Sequence, residues 1–113
     1  MVSNNIFPDY SIEVIADNDL TYNTNFKVNG EAGNFEDGDT AEMIIHGDSE
    51  DIHIKAKQIE NNTASFYLSS ELTQSLLRDG ESESYYEYCI RVKWASMGSH
   101  TPIHRKSLIV KRC

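Results

Sequence analysis

Five large apolar side chains stand at every second position from Tyr86 to Trp94: Tyr86, Tyr88, Ile90, Val92 and Trp94, with Glu87, Cys89, Arg91 and Lys93 between them. Successive side chains of a strand point to opposite sides of a sheet, whereas a helix would scatter this set around its circumference. The segment is therefore predicted to be a strand with one buried and one polar face. It is the longest clean alternation in the chain and is read as the central strand.

The same period of two recurs on both sides of it. Ile12, Val14 and Ala16 alternate with polar neighbours, Asp17-Asn18-Asp19 supplies turn chemistry, and Leu20, Tyr22, Thr24, Phe26 and Val28 share one face, which together predict a hairpin. Gly30 to Gly38 reads as an exposed loop anchored by Phe35. A third strand, Thr40 to His46, and a fourth, Asp51 to Lys57, flank Gly47-Asp48-Ser49-Glu50 as a second hairpin. Asn61-Asn62 turns the chain into a fifth strand, Thr63 to Ser69.

One helical signal follows, Ser70 to Arg78, with Ser70 as cap, Leu72 and Leu76 four apart, and Gly80 at the C-terminal end. After the central strand, Met97 to His100 turns, Pro102 restricts the backbone, and Ile103 to Lys111 closes the domain with Leu108 and Val110 on one face. The expected fold is all-β: a single antiparallel β-sandwich of about seven strands with one short helix near residues 70–78, in one domain over residues 1–113. A chain of 113 residues has the size of one such unit.

Net charge and composition narrow the function classes. A formal charge of −8 opposes nucleic acid as a general ligand, because that affinity rests on cations meeting phosphates. No run of about 18 apolar residues suggests a membrane span, and the opening Met-Val-Ser-Asn-Asn lacks a secretory pattern. The chain is expected to be soluble and made in the cytosol. Cys89 and Cys113 do not make a disulfide framework; Cys89 reads as an inert strand residue and Cys113 as a loose terminal thiol.

His46, His53, His100 and His104 lack a zinc spacing, and the acidic loops Asp37-Gly38-Asp39 and Asp48 to Asp51 lack the ordered calcium pattern, so neither metal nor cofactor is expected. No nucleophile elbow, no Cys-His arrangement and no phosphate-cradling loop is recognisable, and no catalytic residue is assigned. Charge is unevenly distributed. From Val28 to Ile54 there are eight acids and no lysine or arginine, whereas after Glu87 there are six basic residues and no acid. Either these halves face solvent or pair with each other within the domain, or the acidic loops of one copy meet the basic C-terminal strand of another. The candidate interaction surface comprises Asp37, Asp39, Asp48, Glu50, Asp51, Tyr67, Tyr85, Arg105, Lys106, Lys111 and Arg112.

Gly38-Asp39-Thr40, then Thr63-Ala64-Ser65-Phe66-Tyr67-Leu68-Ser69 with its short leucine-bearing helix, then Tyr86-Glu87-Tyr88-Cys89-Ile90-Arg91-Val92 and Leu108-Ile109-Val110 follow a recognisable order. Over roughly residues 36–111 this resembles the small immunoglobulin-like or sandwich modules of tailed-bacteriophage tail, baseplate and fibre proteins. The resemblance implies a non-enzymatic virion or virion-accessory protein, acting in the virion or in the host cytoplasm during assembly. Its implied partners are other phage structural proteins and a second copy of itself, with no nucleic acid and no membrane. The alternative is a small carbohydrate- or host-surface-binding module using Tyr67 and Tyr85. A third reading is a hydrolase whose two carboxylates are brought together only in space.

Overall fold

A computed structural model describes residues 10–28, 31–32, 34–95 and 98–113. In chain order the elements are β1 (Ile12–Ile15), β2 (Leu20–Asn25), β3 (Lys27–Val28), β4 (Glu31–Ala32), β5 (Thr40–His46), β6 (Asp51–Lys55), β7 (Gln58–Glu60), β8 (Thr63–Leu68), α1 (Ser70–Leu76), β9 (Glu83–Trp94) and β10 (Gly98–Lys111). They build a five-stranded sheet in the order β1-β10-β9-β5-β6, a three-stranded sheet β2-β8-β7, and the small pair β3-β4. The two larger sheets face each other as a β-sandwich, with β9 in the middle of the wider one.

Alternation decides which side chains meet between the sheets. Tyr86, Tyr88, Ile90, Val92 and Trp94 of β9 are buried with Met43 and Ile45 of β5, Leu108 and Val110 of β10, and Phe66 and Leu68 of β8. Tyr22 of β2 lies edge-on to Phe66, with ring centroids 6.3 Å apart, and edge-on to Tyr88 across the sandwich at 5.9 Å. The Tyr88 hydroxyl donates to the Tyr10 carbonyl and meets the Tyr22 hydroxyl at 3.2 Å, so its polar tip is satisfied inside an apolar layer. Phe35 stacks on Trp94 at 4.9 Å and meets Phe26 edge-on, closing one end of the core as its predicted anchoring role requires.

The predicted hairpin of residues 12–28 does not form. β1 pairs with β10, and in parallel, the one departure from antiparallel pairing among the described residues, while β2 pairs with β8 in the opposite sheet. Residues 16–19 are therefore a corner between sheets: the Asn18 amide bonds back to Ile15, and Asp17 takes a left-handed φ of 70°. The predicted strand to Val28 also stops early: the Phe26 amide still bonds to the Asn62 carbonyl in the β2-β8 register, but Lys27 and Val28 pair instead with β4. The β5-β6 hairpin is as expected, but the strand to Lys57 is cut at Ala56, whose amide bonds to Ala41 while that of Lys57 bonds to Ser65. The chain changes sheets there and continues as β7.

Ser69, not Ser70, caps α1: its side chain accepts from the Leu72 amide, while the Ser70 amide donates to Asp19. The helix ends at Leu76, short of Arg78. Its terminal carbonyl takes the Tyr86 hydroxyl at 2.6 Å, so an aromatic from the central strand does the work expected of Gly80, which instead makes a separate turn at φ 78°. Met97 of the predicted 97–100 turn lies outside the described residues, and Gly98 to His100 already belong to β10. Pro102 falls where the register of β10 against β9 slips, between His100 and Ile103, as a residue without an amide donor must.

Two substitutions check this arrangement by urea unfolding. Phe66→Ala opens a cavity at a fully buried ring and is expected to cost about 3–5 kcal/mol. Ser69→Ala removes the cap and is expected to cost about 1 kcal/mol, whereas Ser70→Ala, which keeps its backbone bond to Asp19, stays within about 0.5 kcal/mol of the unaltered chain.

Candidate functional site

The outer face of the five-stranded sheet collects most of the polar chemistry. The odd-numbered residues of β9 point outward, and the registers place Glu42, Ile44 and His46 of β5 beside them, then Lys55, His53 and Asp51 of β6. Across these strands charge alternates. Lys111 reaches Glu13 at 3.0 Å and Glu83 at 3.7 Å, Arg105 reaches Glu87 at 2.8 Å, and Glu42 lies 4.0 Å from Arg91 and 3.4 Å from His53.

This pairing places most of the candidate surface residues. Asp48 holds Arg78 in a two-pronged contact at 2.7 and 2.9 Å, Asp51 faces His46 at 3.2 Å, and Arg112 donates twice to the Glu81 carbonyl. Asp39 is a loop clamp: its carboxylate accepts the amides of Glu36 and Ala95 at 2.8 Å each. Asp37 and Glu50 are exposed, and Lys106 is half-buried at the register opposite Tyr88; none has an ion-pair partner among the described residues. Several charges on this sheet thus pair within the domain, which leaves fewer of them for a second copy.

Tyr67 and Tyr85 do not form one platform. Tyr67 leaves β8 on the outer side of the three-stranded sheet, where Lys57 sits 4.8 Å from its ring centroid, and Tyr85 leaves β9 on the far side of the molecule. The Tyr85 hydroxyl donates to Glu83, and the Asp19 carboxylate beside Tyr67 raises its ionisation above the ordinary tyrosine range.

One grouping was invisible in the sequence. Cys89 is only 7% exposed, yet it projects to the outer face, where its Sγ lies 3.3 Å from His46 Nε2. His46 and Asp51 close the β5-β6 turn; a Cβ at Gly47 would stand 2.5 Å from the Glu50 carbonyl oxygen, so glycine permits that tight closure. The only signal available in the sequence was that Cys89 falls on the polar side of its alternation. Its partner lies 43 residues away, on a strand whose register no local pattern reveals. Among the described residues no group of three histidine, cysteine or acidic side chains is arranged to hold a metal ion.

No protein family, curated protein or solved structure matches the chain.

Two ion pairs set opposite limits on the pH range of stability. The Arg78 guanidinium holds the Asp48 carboxyl below its usual range, so this contribution is present above that range and is lost as pH falls through the depressed value. Glu13, with Glu83, holds the Lys111 ammonium above the usual lysine range, so its contribution is present below that range and fades as pH rises through the elevated value. Burial of Tyr22 adds to the same alkaline loss. Asp48→Asn is expected to flatten the acid limb of the urea midpoint against pH, and Lys111→Met to flatten part of the alkaline limb.

Proposed function

We propose that the chain is a non-enzymatic structural or accessory protein of a tailed-phage virion that works by docking onto other protein subunits. The virion setting rests on the resemblance of residues 36–111. Docking rests on one structural observation, the unequal width of the two sheets. Strands lie about 4.8 Å apart, so a five-stranded sheet extends about 10 Å beyond a three-stranded one.

Helix α1 takes up part of that difference near the 16–19 corner, where Thr73 donates to the Asn18 carbonyl and Leu76 is buried. At the opposite edge stands β6. Ile52 and Ile54 face inward beside the fully buried Ile45 and Met43, but they are only half-buried themselves. An edge strand with unpaired backbone groups and an apolar inner row suits the addition of an extended strand, the backbone giving affinity and the isoleucines giving fit. The occupant assigned is a strand of another virion subunit.

Cross-linking of phage particles or assembly intermediates carrying the chain tests this. Lys55, exposed on β6, is expected to cross-link to another structural subunit. Absence of the chain from particles and intermediates would overturn the virion reading, and so would flanking genes that are metabolic instead of encoding tail or lysis functions. Cross-links confined to Lys57 and Lys93, with none from Lys55, would overturn the assignment to β6. A cross-link to a second copy is checked by light scattering, where a monomer at every concentration and salt level rules self-association out.

A further inference from the structure

Cys89 sits among groups that activate a thiol. Asp51 Oδ1 lies 3.2 Å from His46 Nδ1, and a carboxylate can only accept, so Nδ1 is assigned the proton. Nε2 is then bare and faces the sulfur at 3.3 Å, placed to take its proton. A third contact comes from β10, where the Arg105 amide donates to Sγ at 3.4 Å. That amide is available because the β10 register slips between Ile103 and Lys106 and Arg105 takes a left-handed φ of 49°. The bulge turns the donor out of the ladder and onto the sulfur.

A pocket of about 380 Å³ opens in front of the sulfur, lined also by His53, Arg91, Thr101, His104 and Arg105. Arg91 is shared with a neighbouring depression of about 450 Å³ that adds Lys55 and Lys93, neither of which has an ion pair among the described residues. The acids facing this area are engaged: Asp51 by His46, Glu87 by Arg105, and Glu42 by Arg91 and His53. The space is small, open and left with surplus cations. The Arg105 amide points at the sulfur itself and is therefore not free to hold an oxyanion beside it.

We propose that Cys89, His46 and Asp51 form a thiol-exchange site at which Cys89 captures a small, carboxylate-bearing disulfide as a mixed disulfide. His46 Nε2 takes the Cys89 proton. The thiolate attacks the nearer sulfur of the ligand, a Cys89–sulfur bond forms, and the ligand's own S–S bond breaks with its electron pair leaving on the farther sulfur. That sulfur takes the proton from His46 and departs as a thiol. Cys89 is oxidised to the disulfide level and the ligand is reduced by the same amount. Asp51 is a positioning residue that keeps the His46 ring oriented and in the required tautomer. This site stands independently of the docking reading.

The test uses the folded Cys113→Ser chain with dithiobis(nitrobenzoate), a disulfide carrying two carboxylates, and cystamine, a disulfide carrying two ammonium groups. At about pH 7 Cys89 is expected to react with the first at least about tenfold faster than Cys113 does in the Cys89→Ser chain. The ratio of its rate with the first to its rate with cystamine is also expected to exceed the same ratio for Cys113 in the Cys89→Ser chain, a comparison that removes the difference in leaving-group reactivity. His46→Gln is expected to slow the reaction about tenfold at that pH and to regain the unaltered rate near pH 9.5, where an ordinary thiol is largely ionised. A variant that had merely closed the pocket would not recover. Asp51→Asn, expected to slow the reaction less, decides the matter if His46→Gln fails to fold. Labelling of Cys89 only after unfolding, or no loss of rate in either folded variant, would overturn the site. A ratio no larger than that of Cys113 would overturn the carboxylate-bearing class of ligand.

Discussion

Tyr88 brings a large ring and a hydroxyl into the centre of the sandwich, and both have to be accommodated at once. The ring meets Tyr22 of the opposite sheet edge-on, and Tyr22 in turn meets Phe66 on the neighbouring strand, so three aromatics run from β9 across to β2 and β8. The hydroxyl then needs polar partners where water is excluded. It finds them in the Tyr22 hydroxyl and the Tyr10 carbonyl, which draws the chain just before β1 toward the same place. Once Tyr88 is seated, the pleat leaves no freedom for its neighbours: Tyr86 and Ile90 go inward, Glu87 and Cys89 go outward. The position of the reactive thiol is thus a consequence of how the core is filled.

How much of this could be read from the chain depends on whether the information was local. β9, β5 and β8 were legible because alternation, apolar content and turn residues all agreed on them, and the five-stranded sheet centres on the segment with the longest alternation. β1 and β2 were legible as strands but not in their pairing. Asp17 in the left-handed region serves a corner between sheets as well as it serves a hairpin, and the choice was made by the β10 edge, nearly a hundred residues away along the chain. The break at Ala56 was hidden because Lys55, Ala56 and Lys57 continue the polar-apolar pattern while the hydrogen bonds change sheets. Ser69 and Ser70 offer the same hydroxyl to a helix start; Asp19, arriving from the corner, binds the Ser70 amide, and the Ser69 oxygen reaches Leu72.

The candidate site was legible to a lesser degree, for a related reason. Charge asymmetry along the sequence suggested surfaces for a second copy, but a sheet folds distant segments into adjacent rows. Arg105 is thereby set beside Glu87, and Lys111 between Glu13 and Glu83. Exposed pairs of this kind contribute little to stability individually. Their effect is on specificity, since the matched part of the face offers a protein partner weak electrostatic guidance, while Lys55 and Lys93, without an ion pair among the described residues, remain to attract a small anion. Contacts through such a face would have to draw on backbone pairing and apolar fit, which the outer surface lacks and the β6 edge has.

β6 serves both proposals through different sides of the same five residues. Its outward side chains, Asp51 and His53, reach the Cys89 pocket, with Asp51 holding the ring of His46. Its inward isoleucines and its unpaired backbone edge form the docking strip. A strand added at that edge extends the sheet by about 4.8 Å and becomes the nearest backbone to Asp51 without covering Cys89, which lies two strands further in. A shift of Asp51 on docking acts on the thiol through the orientation and tautomer of His46. Conversely, an adduct on Cys89 occupies the space in front of His46 and Asp51 while leaving the isoleucine row untouched. The two sites share an element and touch different faces of it, so the coupling between them runs through the outward residues of β6, the Asp51-His46 contact and the His53 wall of the pocket.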